Sequence, residues 1–194
     1  MSDTQTGEES TRGRILNAAV VVFAQYGFRK ASMDEVARRA ELSRQGLYLH
    51  FPRKKDLFRE TVVYAIGRNL QEVRSALAGE GGSEERLLGA FEVWHGQYAG
   101  AMDSSHAAEL YEASALMGGG VVEKGEETFR CLVVGELKAS GISKIHEGWG
   151  VSAPELASTL EATSKGLKYS SSSLEAFREG MRLALRIIYS PAKS

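Results

Sequence analysis

A single cysteine among 194 residues, Cys131, rules out an internal disulfide and suits a reducing cytoplasm. It lies in an apolar stretch and is expected to be a buried, inert thiol. Metal ligands are as scarce. His95 and His106 stand eleven residues apart, outside any metal-ligand spacing, and no cysteine or carboxylate completes a site. No metal and no cofactor is expected. No apolar run approaches the roughly 18 residues of a membrane span, so no membrane partner is expected either. Residues Met1–Ser10 are polar and acidic, without the apolar stretch of an export signal, and are expected to form a disordered tail. The chain is accordingly read as cytoplasmic. Gly-rich phosphate loops, zinc signatures and nucleophile elbows are all missing. No catalytic residue can be named, and an enzyme is the least favoured reading.

Strand alternation and internal repeats are missing too, and what remains reads as helix from end to end. From Thr11 to Tyr26, Ile15, Ala18, Ala19, Val22, Phe23 and Tyr26 form one helical stripe, and Gly27 supplies a C-terminal cap. Ser32 with Glu35 three residues on makes a capping box, followed by Met33, Val36, Ala37 and Ala40 on an inner face. Glu41-Leu42-Ser43 reads as a turn, Ser43 caps a short third helix, and Pro52 ends it. A long fourth helix is expected from Lys54 to about Ala78, then a linker at Gly79–Ser83. Further helices are expected over Glu84–Asp103, Ser105–Leu116, Val121–Ser140, Pro154–Lys168 and Leu174–Tyr189, with Gly141–Ala153 a loop.

Charge divides unevenly along this helical chain. Thr11–Glu60 carries 11 Lys and Arg against 5 Asp and Glu, whereas Thr61 onward carries 13 against 17, within a net charge of −1. A basic segment that coincides with a helix-turn-helix suits a polyanion-binding head. Its third helix holds the side chains that DNA reading requires. Arg44 can bond guanine through two donors and Gln45 can pair with adenine, both from the first turn of the helix that enters the major groove. Gly46 allows close approach of backbone to a base pair, or tight packing on the second helix. Tyr48, His50, Arg53, Lys54 and Lys55 are candidates for phosphate contact, and Leu47 and Phe51 are expected to face the core.

Residues 11–60 resemble the DNA-binding domain of the TetR family of bacterial transcriptional regulators. The resemblance rests on Thr11–Ala19, Phe23–Phe28, Ser32–Ala37, and Leu47-Tyr48-Leu49-His50-Phe51 with Lys54 and Leu57-Phe58. It implies an all-α homodimer, with residues 11–60 as a three-helix domain (helix-turn-helix proper at 32–51) and 61–194 as a larger helical domain for effector binding and dimerisation. It further implies a double-stranded palindromic operator as partner, repression as the default, and release by a small molecule. By position, Arg44, Gln45 and Gly46 would face bases, while Tyr48, His50 and Lys54 would hold the backbone. The family usually places glycine where this chain has Glu41. A left-handed backbone there would cost a glutamate on the order of 1 kcal/mol.

The remaining helices hold an aromatic and polarizable set: Trp94, His95, Tyr98, Met102, His106, Tyr111, Met117, Phe129 and Trp149. Such residues line effector pockets and equally fill helical cores. Leu156, Leu160 and Leu167, facing Leu174, Phe177, Met181, Leu185 and Ile188, form a stripe that fits either a dimer seam or an intramolecular pair. Two other readings compete with a ligand-responsive regulator. One is an activator, and the other is a helix-turn-helix used for protein interaction.

Overall fold

A computed structural model describes residues 10–100 and 104–190, without the side chains of residues 104–108, 111 and 115. Among the described residues every regular element is helical: α1 (Thr11–Lys30), α2 (Met33–Arg39), α3 (Arg44–His50), α4 (Lys54–Leu77), α5 (Ser83–Trp94), α6 (Ser104–Met117), α7 (Val121–Ala139), α8 (Ile142–Glu147), α9 (Ala153–Ser170) and α10 (Leu174–Tyr189). Two expectations need correction. The helix expected over Glu84–Asp103 stops at Trp94 and passes into a 3₁₀ turn at Gly96–Tyr98. The expected loop at Gly141–Ala153 contains α8, whose Ile142, Ser143 and His146 turn inward.

The chain divides into two compact units. Among the described residues the first comprises 10–65 with 105–119, and the second 66–100, 104 and 120–190. This departs from a simple cut near residue 60. Helix α6 belongs with the N-terminal helices because Leu110, Ala113 and Met117 pack on their core. A stripe at helical spacing announces an apolar face but not the core that receives it. Helix α4 contributes its first half to one unit and its second half to the other.

The first unit is built around Ile15, Ala19, Val22, Phe23, Val36, Leu47, Phe51, Leu57 and Phe58, all buried. Phe23, Phe28 and Phe58 meet ring to ring, with Phe58 edge-on to both others at 4.9 Å. Gly27, at φ 71°, breaks α1 in its last turn, as its capping role requires. The Ser32 and Ser43 hydroxyls accept the N–H groups of Glu35 (3.1 Å) and Gly46 (3.0 Å), which starts α2 and α3. Between them Glu41 adopts φ 56°, the one non-glycine residue with positive φ among the described residues.

The second unit buries Leu87, Ala90, Phe91, Trp94, Phe129, Val133, Leu137, Leu160, Phe177, Met181 and Leu185. Trp94 stacks on Phe129 at 4.9 Å, and Phe91 meets Phe129 edge-on at 5.2 Å. Helix α10 packs on α5 and α9, and α9 on α7. Arg178 binds Glu92 through two hydrogen bonds (2.7 and 2.9 Å), tying α10 to α5, and Arg130 donates to Glu161 at 2.8 Å, tying α7 to α9. A buried polar pair lies within this core: His95 Nδ1 is 2.7 Å from the Ser164 hydroxyl.

Two expectations follow for stability. Replacing Glu41 by glycine relieves a left-handed strain of about 1–2 kcal/mol while adding about 0.5–1 kcal/mol of unfolded-state entropy. Glu41→Gly should therefore gain roughly 0.5–1 kcal/mol in denaturant titration, with Glu41→Ala gaining nothing; equal values would contradict the strain. Burial, with the Lys168 and Lys165 charges adding to it, pushes the His95 imidazole down to about 3. The unfolded chain takes up this proton near the ordinary value of 6.5, so stability is full above that pH and is lost as pH falls toward 3. In NMR titrations the His95 ring should not titrate between about pH 5 and 8, a window set by the ordinary histidine value. A midpoint near 6.5 would place the ring in water.

Candidate nucleic-acid interface

Helix α3 has seven residues, too few to be stable alone, so its orientation depends on its buried side chains. Leu47 and Phe51, at i and i+4, are sealed in the core of the first unit. Burying each contributes about 1.5–3 kcal/mol. The opposite face is thereby turned to solvent with Arg44, Gln45, Tyr48 and Leu49 on it, and His50 is exposed too. Gly46 is half-buried, its N–H spent on the Ser43 cap.

Neighbouring groups hold the arginine in place. The Arg44 guanidinium pairs with Asp34 of α2, Nε to Oδ1 and Nη1 to Oδ2 both at 3.2 Å, and lies 5.6 Å from the centre of the Tyr48 ring. The sequence offered no pattern for the Asp34 contact, since it crosses the turn between helices. Three residues after α3, helix α4 begins. Arg53 is exposed and pairs with Asp56 at 3.1 Å, while Lys55 is exposed with no ion pair among the described residues. The N–H groups of the first turn of α4 make this end suited to an anion.

Lys54, expected to contact phosphate, has partners within the protein. Its ammonium donates to the carbonyls of Arg29 (3.1 Å) and Ala31 (3.0 Å) and lies 4.8 Å from the centre of the Phe28 ring. The chain leaves helical geometry at Gly27, so these carbonyls lack helical partners, and a lysine within reach satisfies them. From the other side Glu109 of α6 accepts the Arg29 N–H at 2.7 Å. Lys54 thus anchors the segment that follows α1.

The aromatic set separates into parts. Trp94 and Phe129 are core residues. His95 and Tyr98 carry the polar groups: Tyr98 accepts a hydrogen bond from Asn69 at 3.0 Å, and the Lys168 ammonium sits 5.0 Å from the centre of its ring. Burial raises the Tyr98 phenol and lowers the Lys168 ammonium, Lys165 adding to the second shift. Asn69 and Lys168 escaped the sequence reading because they belong to other helices. Met102 and the side chains of His106 and Tyr111 lie outside the described residues. Met117 packs in the first unit, and exposed Trp149 meets His146 edge-on at 5.3 Å. Cys131, expected to be buried, is exposed on α7, because the apolar residues beside it, Val133 and Leu137, take the inward face.

The stripe that fitted either a dimer seam or an intramolecular pair packs within its own chain. Leu156, Leu160, Phe177, Met181, Leu185 and Ile188 are buried in the second unit of their own chain, and Leu167 packs against that core. Leu174 is partly exposed. The stripe most apolar in sequence is consumed within the protomer, which leaves another face of α10, with Leu183 56% and Ile187 66% exposed, turned to solvent. Among the described residues no three His, Cys, Asp or Glu side chains stand together as a metal site, and no helix is long and apolar enough to cross a membrane.

Residues 15–61 match the family model for bacterial regulatory proteins of the tetR family. The HTH-type transcriptional activator FasR of Mycolicibacterium smegmatis is 35% identical over 86 residues, covering 44% of this chain and 39% of that protein. The chain spans about two-fifths of the length of the curated relatives it matches. Escherichia coli NemR in its reduced form shares the fold with a TM-score of 0.70 at 19% identity, covering 94% of this chain and 99% of NemR. A transcriptional regulator from Saccharomonospora viridis in complex with choline does so with a TM-score of 0.67 at 17% identity, covering 93% and 96%. The likeness to the tetR family of bacterial regulatory proteins thus rests on residues 15–61, and over the rest of the chain the solved structures share the fold.

Proposed function

We propose that the chain is a cytoplasmic, ligand-responsive transcriptional regulator that binds an operator as a homodimer. The observation that carries this reading is the two-sidedness of α3: Leu47 and Phe51 are locked in the core while Arg44, Gln45 and Tyr48 face outward, next to the basic start of α4. Arg44 and Gln45 read base edges, and Tyr48, His50, Arg53 and Lys55 hold the phosphate backbone, with Gly46 allowing close approach. A two-fold dimer presents this surface twice, so the operator is palindromic, with half-sites about one helical turn apart. Dimerisation uses the exposed face of α10, Leu183 and Ile187, together with the small exposed Ser158, Ala162 and Gly166 of α9. Repression is the default reading; the activator name of FasR favours activation as the second.

The effector site is centred on His95 and Tyr98, with Asn69, Ser164 and Lys168 as its polar groups and Trp94 and Phe129 as apolar support. The S. viridis regulator, in complex with choline, supports a small-molecule ligand in this fold. Helix α4 belongs to both units, so a rearrangement in the second has a continuous helical route to the first. Coupling of this kind is reciprocal: an effector that weakens DNA binding is itself bound less tightly by the DNA-bound protein. No enzymatic activity is proposed.

Selection of genomic fragments by the purified protein, followed by affinity measurement across a salt series, tests DNA binding. Arg44→Ala should lose roughly 1–3 kcal/mol at one base position and relax specificity there. Lys55→Ala should weaken all sequences alike and reduce the salt slope by about 1. The reverse pattern would overturn the division of roles. Leu183→Glu with Ile187→Glu should convert a dimer to a folded monomer in analytical ultracentrifugation and lower operator affinity. A variant that remains dimeric would move the interface elsewhere.

A further inference from the structure

Leu49 is 81% exposed and belongs to neither apolar core. A lone exposed leucine is ordinary on a protein surface; what singles this one out is where it stands. It lies one helical turn after Gln45, on the solvent face that α3 shares among Arg44, Gln45 and Tyr48. Every other side chain on that face can hydrogen-bond, and Leu49 can contact neither a phosphate nor a base edge in that way. The major groove offers one apolar group for such a side chain, the C5-methyl of thymine.

We propose that Leu49 is a specificity-determining residue that packs on a thymine methyl in each half-site. The proposal rests on the DNA-binding reading above. Its geometry sets the position of that thymine. Four residues along a helix span about 6 Å, close to two base-pair steps of about 3.4 Å each. The thymine therefore stands one to two steps from the base pair that Gln45 reads. Leu49 makes no core contact, so its replacement leaves the domain folded.

The experiment uses the full-length chain and duplexes enriched by selection from random DNA. Each thymine in the enriched site is replaced in turn by deoxyuridine, which removes only the C5-methyl. Wild-type protein should bind about fourfold more weakly at one thymine per half-site, the worth of a single methyl group withdrawn from water. Leu49→Ala should bind the thymine and uracil duplexes equally, and Leu49→Met should retain the sensitivity. Enrichment of a site in which no thymine methyl matters, or in which wild type and Leu49→Ala are equally sensitive, would overturn the proposal while leaving DNA binding intact. Failure to enrich any sequence would overturn the DNA-binding reading and the proposal with it.

Discussion

The burial of Leu47 and Phe51 is the constraint on which the outward surface of α3 depends. A helix of seven residues has too few internal hydrogen bonds to hold itself, and two side chains on one face decide how it sits. They share one core cluster with Ile15 and Phe23 of α1 and Phe58 of α4, so the orientation of α3 is a property of the whole first unit. Once those two residues are inside, Arg44, Gln45, Tyr48 and Leu49 can only be outside. The Ser43 cap and the Asp34 carboxylate then refine what burial has already decided, the first by starting the helix and the second by steadying the arginine.

The same competition for apolar cover shapes the second unit. Helix α10 carries two apolar faces of unequal strength. Phe177, Met181, Leu185 and Ile188 complete the protomer's core, and Leu183 with Ile187 is what remains outside. A core takes the larger and more continuous stripe because that removes more apolar area from water. The weaker stripe is therefore the one available to a second copy. Buried polar groups follow an equivalent rule: His95 enters the core only because Ser164 meets its ring, and in that setting it stays neutral.

Much of the first unit was legible in the sequence because its signals are local. Ser32 and Ser43 cap the helices they were expected to cap, Gly27 breaks α1, and Glu41 takes a left-handed backbone where the family resemblance places glycine. Burial of Leu47 and Phe51 followed from their spacing. Lys54 was not legible in the same way. Its partners, the Arg29 and Ala31 carbonyls, are more than twenty residues away, and a lysine beside other cations looks the same in sequence whether it faces solvent or closes a turn. Cys131 was misread, and the stripe of the last two helices was left undecided, for a related reason. Periodicity shows which residues share a face, and only packing shows what that face meets. The Asn69–Tyr98 and His95–Ser164 pairs join helices far apart in the chain, beyond the reach of any spacing rule.

The central claim is that the outward face of α3 reads the major groove in a sequence-specific way. Methylation interference tests it most directly, because a methyl group on guanine N7 blocks the major-groove edge that an arginine uses. Selected fragments bound by the full-length protein should show interference at guanines in two symmetric half-sites about one helical turn apart, and Arg44→Ala should abolish it at one guanine in each. Binding that tolerates N7 methylation throughout, with no symmetric pair of sensitive positions, would contradict the account.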